Sequence, residues 1–531
     1  MTHTYFLRKL TYLNQQYHPK AQWPLIKSEK ASLLLNFKHC FQHYSQNQHL
    51  IDSYMQCAYR DRVPDPTLWS MYGAYLMTNW DKYKAGEMTH IANMLVKYEV
   101  PSGFLERLER KALAGFGDMT NQEIAMACKQ TQGEALMKKV RDEGKLKVEN
   151  DLDLFFFTSA YIGKKEKFSE TVEFLKGKLA EMIPKMTDAI RLCQILREYS
   201  ESHISLPPST ISAVETALLS ENMQFYESSI NEILLTLHSK QYTSLVSTEF
   251  WQKFEQKVTG KLANYRASRL LSTFARRSFP STQVMAATVP VWVKDVERLG
   301  RKEVFREGFC ALMKYTDVSE ETKQWCLSQS VYFRQHFDSF DIATMLRAAV
   351  VPGWYSPVLW QVLVDRFFSP VISPPKDLDK SMVYFALKSM EIDEVKLPNL
   401  PKISKEDMSK FREIYEKTRF HKDRNRMHLQ TASALTSLAL PYQEFAPVAH
   451  LYAPNFLLPA SKLVIQCFDW AQFLSPLPRT TALGTKMMLR HLNKSGWSVL
   501  LVANDQDLPR HLSSVMGQIG GSKAVRNLQV V

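Results

Sequence analysis

Four arginines with the chemistry to bind phosphate share one face of the helix predicted for residues 264–279: Arg266, Arg269, Arg276 and Arg277. Successive helical residues are about 100° apart, so these side chains fall within an arc of roughly 100°, while Leu271 and Phe274 point away toward a core. A guanidinium presents a fixed fork of donors that matches phosphate oxygens. This arginine stripe predicts an exposed face that follows a nucleic-acid backbone.

A second basic cluster lies at residues 417–428, KTRFHKDRNRMH, where five Lys and Arg and two His face one Asp. Its candidate RNA-binding residues are Lys417, Arg419, Phe420, Lys422, Arg424 and Arg426. The Phe420 ring offers a surface on which a base can stack. For either cluster alone, a solvated face or intramolecular ion pairs are the alternative interpretation. Together the two clusters favour binding to RNA or DNA.

Catalytic and cofactor motifs are absent from the sequence. It lacks the phosphate-binding loop, the dinucleotide fingerprint, the zinc-protease helix and the nucleophile elbow. Its fourteen histidines are scattered, and none forms a convincing metal-ligand cluster with Cys or Asp. We therefore expect no catalytic residues, no cofactor and no metal.

Charge and composition narrow the class of protein. The chain has 67 Lys and Arg against 54 Asp and Glu, a net charge of +13, which favours an acidic partner. Only 18 of 531 residues are Gly, which favours long helices over many-stranded sandwiches. The seven cysteines are dispersed without a C-x-x-C pair, so we expect buried thiols in a reducing compartment. No apolar run is long enough to span a membrane.

Helical periodicity dominates residues 31–400, where apolar residues recur every three or four positions. Related helical segments begin at Ile190, Ile230 and Leu270, 40 residues apart, and a second helix lies between successive members. Two helices per repeat of about 40 residues is the unit of an α-solenoid. We therefore predict a mainly α chain built on an α-helical repeat array; an irregular helical bundle is the alternative.

The first 30 residues are basic and contain no acid before Glu29, and Phe6, Leu7, Leu10 and Leu13 fall at helical spacing. This pattern is typical of a mitochondrial targeting segment, and an ordinary basic N-terminal helix is the alternative. We expect the protein in the mitochondrial matrix.

The sequence pattern changes after residue 400. Residues 401–445 are interpreted as a basic helix and linker, and residues 446–531 as a small α/β domain. In that domain residues 462–468 and 497–503 read as buried strands and residues 480–495 as the helix between them, with a last helix near residues 508–519. The middle helix places three further candidate RNA-binding residues on one face: Lys486, Arg490 and Lys494.

The C-terminal segment resembles the RAP domain of organellar RNA-binding proteins. The resemblance rests on the strand at residues 463–468, Asp469 and Phe473 after it, Leu483-Gly484 at the start of the helix, and Gly496-Trp497 before the second strand. It covers about 70 residues. It implies a restriction-endonuclease-like fold that follows degenerate helical repeats of just under 40 residues.

The same resemblance raises an RNA endonuclease as an alternative function. Related nucleases commonly have Glu where Gln466 stands, and an amide is a poor ligand for Mg²⁺, which leaves Asp469 as a single carboxylate. We therefore predict a non-catalytic mitochondrial RNA-binding protein that acts in RNA processing, stability or translation, as a component or assembly factor of the mitochondrial ribosome or on organellar mRNA. Its partners would be RNA and other proteins of a ribonucleoprotein complex. A helical protein scaffold without nucleic-acid contact is the remaining alternative.

Overall fold

A computed structural model describes residues 48–60, 66–98, 100–223, 225–238, 242, 245–277, 279, 281–315, 318–398, 400–401, 403–419, 426–467, 483–502, 509–510 and 512–515. The chain divides into two compact units, residues 1–182 and 183–531. The described part is mainly helical and carries one small sheet near its C-terminal end. This confirms the predicted mainly α chain that ends in a small α/β part.

The first unit is helical throughout its described residues. Its helices are α1 Gln48–Arg60, α2 Pro66–Thr78, α3 Ala85–Leu95, α4 Phe104–Ala114, α5 Asn121–Thr131, α6 Glu134–Asp142, α7 Asp151–Tyr161 and α8 Ser169–Met182. Helices α3, α5 and α7 pack in succession, and α4 packs on α6. Helices two apart in the chain are therefore neighbours, as in a stack of helix pairs.

The second unit continues the pattern over twelve described helices. They are α9 Ala189–Glu201, α10 Pro208–Leu219, α11 Glu227–Leu237, α12 Thr248–Thr259, α13 Ala267–Arg276, α14 Thr282–Leu299, α15 Lys302–Leu312, α16 Glu320–Phe333, α17 Ser339–Val350, α18 Pro357–Phe367, α19 Asp377–Ile392 and α20 Lys405–Arg419. The odd-numbered helices from α9 to α19, then α20, pack in succession, and we call them the first layer. On the other side α10, α12 and α14 pack in succession, and α16 packs on α18. The arrangement agrees with a helical repeat array.

Helix α17 shows how the sequence specifies one of these elements. Asp338 caps its N-terminus, because its carboxylate accepts from the Asp341 backbone N–H at 2.9 Å while the Asp341 carboxylate accepts from the Asp338 N–H at 3.1 Å. Its apolar side chains are buried on the side that packs on α15 and α19, whereas Phe340 and Arg347 are exposed. The helix therefore leaves one narrow face, with Phe340 and Arg347, outside the core.

The C-terminal sheet has four strands in the order of the chain. They are β1 Gln443–Glu444, β2 Phe456–Leu458, β3 Leu463–Cys467 and β4 Ser498–Val502, with α21 Arg426–Ser437 before them and α22 Leu483–Lys494 between β3 and β4. Strands β1 to β3 pair antiparallel, and β3 pairs with β4 in parallel, Ile465 opposite Leu500. Parallel strands joined through a helix form the predicted βαβ unit.

Apolar side chains cover both faces of this sheet. Leu435 of α21 and the helical residues Leu512 and Val515 pack on one face, and Leu492 of α22 packs on the other. Helix α21 and strand β1 thus belong to the sheet region, although they fall within residues 401–445, which the sequence assigned to a basic helix and linker.

Candidate nucleic-acid interface

Hydrogen bonds between side chains set the register of the first-layer helices. They join Ser268 Oγ to Glu307 at 2.9 Å, Lys302 Nζ to Asp341 at 2.7 Å and Ser339 Oγ to Asp379 at 2.7 Å. The members of each pair are 39 or 40 residues apart, about one repeat. Corresponding turns of neighbouring helices therefore lie side by side, and so do the exposed residues of those turns.

Asp341 takes part in two of the contacts between α15 and α17. Its side chain is fully buried, and its carboxylate accepts from both Lys302 and Arg306. Burial by itself lowers the pKa of Lys302, but its hydrogen bonds to Asp341 and Asp338 outweigh that effect and raise the pKa above its ordinary value. This ion-pair group stabilises the stacking of α15 on α17 and leaves its cations unavailable to a ligand.

The predicted arginine stripe on α13 is mostly exposed. The side chains of Arg266 and Arg276 are exposed, and the structure shows no ion pair for either among the described residues. Arg269 is exposed and lies 3.6 Å from a Glu227 carboxylate oxygen, a long contact. By contrast Arg277 is half-buried, and its Nε donates to Asn231 Oδ1 at 3.0 Å. Three of the four arginines therefore present their charge to solvent.

Two cations that the sequence interpretation missed lie beside this stripe. Lys314 follows α15 and Arg347 belongs to α17, and both side chains are exposed. The pKa of Lys314 is lowered, first by the protein that crowds its amine and then by the positive charges of Arg347 and Arg276. The same crowding acts on Arg277, whose pKa is lowered by burial and then by Arg276 and Arg197. Cations on or next to four first-layer helices thus lie within electrostatic reach of a neighbour. Lys314 and Arg347 are isolated basic residues in the sequence, so no local pattern marked them.

The second predicted cluster is described only in part. Lys417 is exposed and forms an ion pair with Glu413 at 2.7 Å, within one turn of α20. The residues Phe420, Lys422 and Arg424, and the side chains of Arg419 and Arg426, lie outside the described part of the chain. The intramolecular alternative therefore holds for Lys417.

His428, at the end of that cluster, is a core residue. Its ring is 1% exposed and stacks between Phe445 and Phe456, with centroid separations of 5.0 and 4.5 Å. Its Nδ1 lies 3.1 Å from Asn455 Nδ2, and its Nε2 lies 3.4 Å from a Glu444 carboxylate oxygen. The ring packs α21 against the sheet and has no exposed surface that could bind a ligand.

Helix α22 carries three of the predicted RNA-binding residues, and two of them contact Asp393. Lys486 is exposed. Arg490, however, binds Asp393 through two hydrogen bonds, Nε to Oδ1 at 3.0 Å and Nη2 to Oδ2 at 2.8 Å. Lys494 Nζ donates to the Asp393 backbone carbonyl at 2.9 Å. Both cations are used inside the protein because α22 packs against α19.

Asp393 is the centre of a buried polar cluster. Its carboxylate is 5% exposed and also accepts from the Tyr355 hydroxyl at 2.6 Å, while His491 Nε2 lies 3.4 Å away. Burial by itself raises the pKa of Asp393, but hydrogen bonds from His491, Tyr355 and Arg490 outweigh it and hold the pKa well below its usual range. On its other side His491 Nδ1 lies 2.7 Å from the Tyr452 hydroxyl. The cluster joins α19, α22 and the loop before β2.

The position that bears on the nuclease alternative is Gln466 on β3. It is half-buried, and its amide donates to the Cys467 carbonyl at 3.4 Å. Asp469 lies outside the described residues. Within the described ranges no group of three or more His, Cys, Asp and Glu is placed to hold a metal ion.

Two comparisons of the sequence with known proteins found no match. No family model matches the chain, and no curated protein matches it. Among the described helices, none combines the length and apolar character needed to cross a membrane.

Proposed function

We propose that this chain is a non-catalytic mitochondrial RNA-binding protein that acts in RNA processing, stability or translation, as a component or assembly factor of the mitochondrial ribosome or on organellar mRNA. The first-layer helices of residues 183–531 would hold the RNA. The observation that carries the proposal is the exposure of two arginines: Arg266, which immediately precedes α13, and Arg276, its last residue. Neither side chain forms an ion pair among the described residues.

Exposed cations in a helical array attract a polyanion over several helices, because releasing counterions from the nucleic acid favours the complex. Acidic side chains of another protein could meet the same charges, but RNA presents phosphates at regular spacing along an extended strand. The stacked helices α13 and α17 carry exposed cations that such a strand could contact in succession.

A RAP-like identity for the C-terminal unit is part of the proposal. It is supported by the parallel pairing of β3 with β4 and by α22 between them, which match the strand, helix and strand on which the resemblance rests. The location in the mitochondrial matrix is also proposed; it rests on the basic N-terminal residues, which lie outside the described part of the chain.

Fluorescence anisotropy of the full chain with labelled RNA oligonucleotides tests the function. We expect binding whose affinity falls linearly with salt on logarithmic axes, with a slope of about −0.7 for each phosphate neutralised. The double variant R266A/R276A should bind more weakly, and K294A, which removes an exposed lysine from α14, should bind like the unaltered protein.

Two outcomes would contradict the proposal. Failure of the unaltered protein to bind any RNA would leave the protein scaffold as the better interpretation. Cleavage of the oligonucleotide that requires Mg²⁺ and is lost in D469N would instead identify a nuclease. Sequencing RNA crosslinked to the protein in cells would then separate ribosomal RNA from individual transcripts.

A further inference from the structure

One aromatic ring, that of Phe340, lies on the exposed face of α17. The residues of this helix that are not buried are Phe340, Thr344 and Arg347. Their positions along the helix keep them within an arc of about 60°. Helix α17 packs on α15 and α19 of the first layer and on α18 of the other side, so this face points away from α18. The ring therefore lies on the solvent side of the first layer.

Helix α13 turns the same side to solvent. Its two exposed residues, Arg269 and Arg276, are seven residues apart, as Phe340 and Arg347 are on α17. Helix α13 packs on α11 and α15 of the first layer and on α14 of the other side, so its exposed face also points away from that side. Neighbouring helix axes lie about 8–10 Å apart, which places α17 about 16–20 Å from α13. A single strand that crosses the layer therefore meets the exposed arginines and the ring in turn.

The ring is held by a cation of the neighbouring helix. The Arg306 guanidinium lies 5.2 Å from the centre of the Phe340 ring and also binds the buried Asp341 carboxylate. A guanidinium over an aromatic ring is attracted by the π electrons of the ring. The Phe340 side chain is nevertheless 42% exposed, so part of the ring surface is accessible to a second flat group. Because the ring is already fixed, it loses little freedom when that group stacks, which favours binding.

We propose that Phe340 is a base-stacking residue: a nucleobase of single-stranded RNA stacks on its ring while flanking phosphates contact the exposed arginines of the same side. This inference rests on the proposed function and assigns to it a residue outside the predicted clusters. Every base has a π face, so stacking of this kind does not select a sequence. Bases inside a double helix are paired and stacked on one another, so the ring requires a single strand.

The experiment compares the unaltered full chain with F340A, F340L and F340W, and with V358A, which removes an exposed side chain from α18. Anisotropy is measured with oligoadenosine RNA and with an abasic oligonucleotide of the same length, each over a range of salt. We expect F340A to lose about tenfold in affinity for the RNA. Its salt slope should stay unchanged, because no phosphate contact is removed. F340L should show the same loss, since leucine fills space without a flat ring, whereas F340W and V358A should bind like the unaltered protein.

The abasic oligonucleotide separates stacking from a structural effect. It keeps the phosphates and lacks the bases, so F340A and the unaltered protein should bind it equally. An equal loss by F340A for both oligonucleotides, or full RNA binding by F340L, would show that the ring acts through packing and would overturn the inference. Thermal unfolding of every variant shows whether a loss of binding comes from loss of folding; if F340A unfolds, the comparison of F340L with F340W decides.

The outcomes also separate this inference from the function on which it rests. If the unaltered protein binds RNA and F340A binds it equally well, Phe340 is not a stacking residue and the proposed function stands. Complete absence of RNA binding by the unaltered protein would refute both.

Discussion

Arg490 binds both carboxylate oxygens of Asp393, with Nε and Nη2 at 3.0 and 2.8 Å, and its Nη2 also donates to the Val350 carbonyl at 3.1 Å. One guanidinium therefore contacts the last carbonyl of α17 and the carboxylate of the residue that follows α19. An anion such as Asp393 is unfavourable at the negative end of a helix dipole unless cations offset it. This pair joins the C-terminal α/β unit to the helices that precede it.

Substitution R490A should lower the free energy of unfolding by about 2–3 kcal/mol, because it leaves a buried carboxylate without its two charge-assisted hydrogen bonds. Chemical denaturation followed by circular dichroism measures the change. The matched control K486A, on the exposed face of the same helix, should stay within about 0.5 kcal/mol of the unaltered protein. Equal losses in the two variants would show that the pair does not hold α22.

The stability that Asp393 contributes should depend on pH. Its pKa is lowered in the folded protein, where Arg490, Lys494, His491 and Tyr355 surround it. The contribution is therefore present above the unfolded-state pKa of about 3.9 and is lost as the pH falls below it. Between pH 7 and pH 3 the excess in melting temperature of the unaltered protein over D393N should shrink; a constant excess would contradict this account.

Loss of the buried Asp341 carboxylate should lower the free energy of unfolding more than loss of an exposed carboxylate. Replacing it by Ala leaves Lys302 and Arg306 largely buried without their shared carboxylate, so we expect a loss of about 3 kcal/mol in urea denaturation. D377A serves as the control, because Asp377 is 72% exposed and lies 3.7 Å from Lys380. Its effect should be within about 0.5 kcal/mol.

Substitutions of the adjacent residues Arg276 and Arg277 should have different effects on RNA binding and on stability. R276A removes an exposed cation and should weaken RNA binding with little change in melting temperature. R277A also removes the hydrogen bond to Asn231, so it should cost about 1 kcal/mol of stability. Anisotropy and thermal unfolding of both variants check the difference, and a stability loss in R276A would show that its side chain is structural.

Burial should make Cys193, Cys310 and Cys467 unreactive in the folded protein. It raises the pKa of Cys467 to about 11 and those of Cys193 and Cys310 to about 12. The thiolate is the reactive form, so these thiols should be alkylated slowly at pH 8 and rapidly in urea. Mass spectrometry of alkylated peptides gives the rate at each site. Fast native labelling of Cys193, which is fully buried, would contradict the packing of α9.

Much of the architecture could be predicted because its signals are local. Apolar residues at helical spacing predict helices such as α9 and α13, and the continuous apolar runs at residues 462–468 and 497–503 match β3 and β4. The βαβ order follows from the same runs. Strand β1 has two residues and carries no comparable pattern, so its pairing with β2 became visible only in the fold.

The sequence by itself determined the mainly helical chain, its small α/β end and the composition of its basic segments, since these depend on neighbours along the chain. Only the tertiary structure decided which basic residues keep a free charge. Arg490 and Lys494 meet Asp393 across 97 and 101 residues, a separation at which no helical periodicity relates two side chains. In the same way, the charges of Arg276 and Arg347 act on Lys314 from other helices. Ion pairing depends on distance in space, and burial strengthens it, so the paired cations could be identified only after the chain had folded.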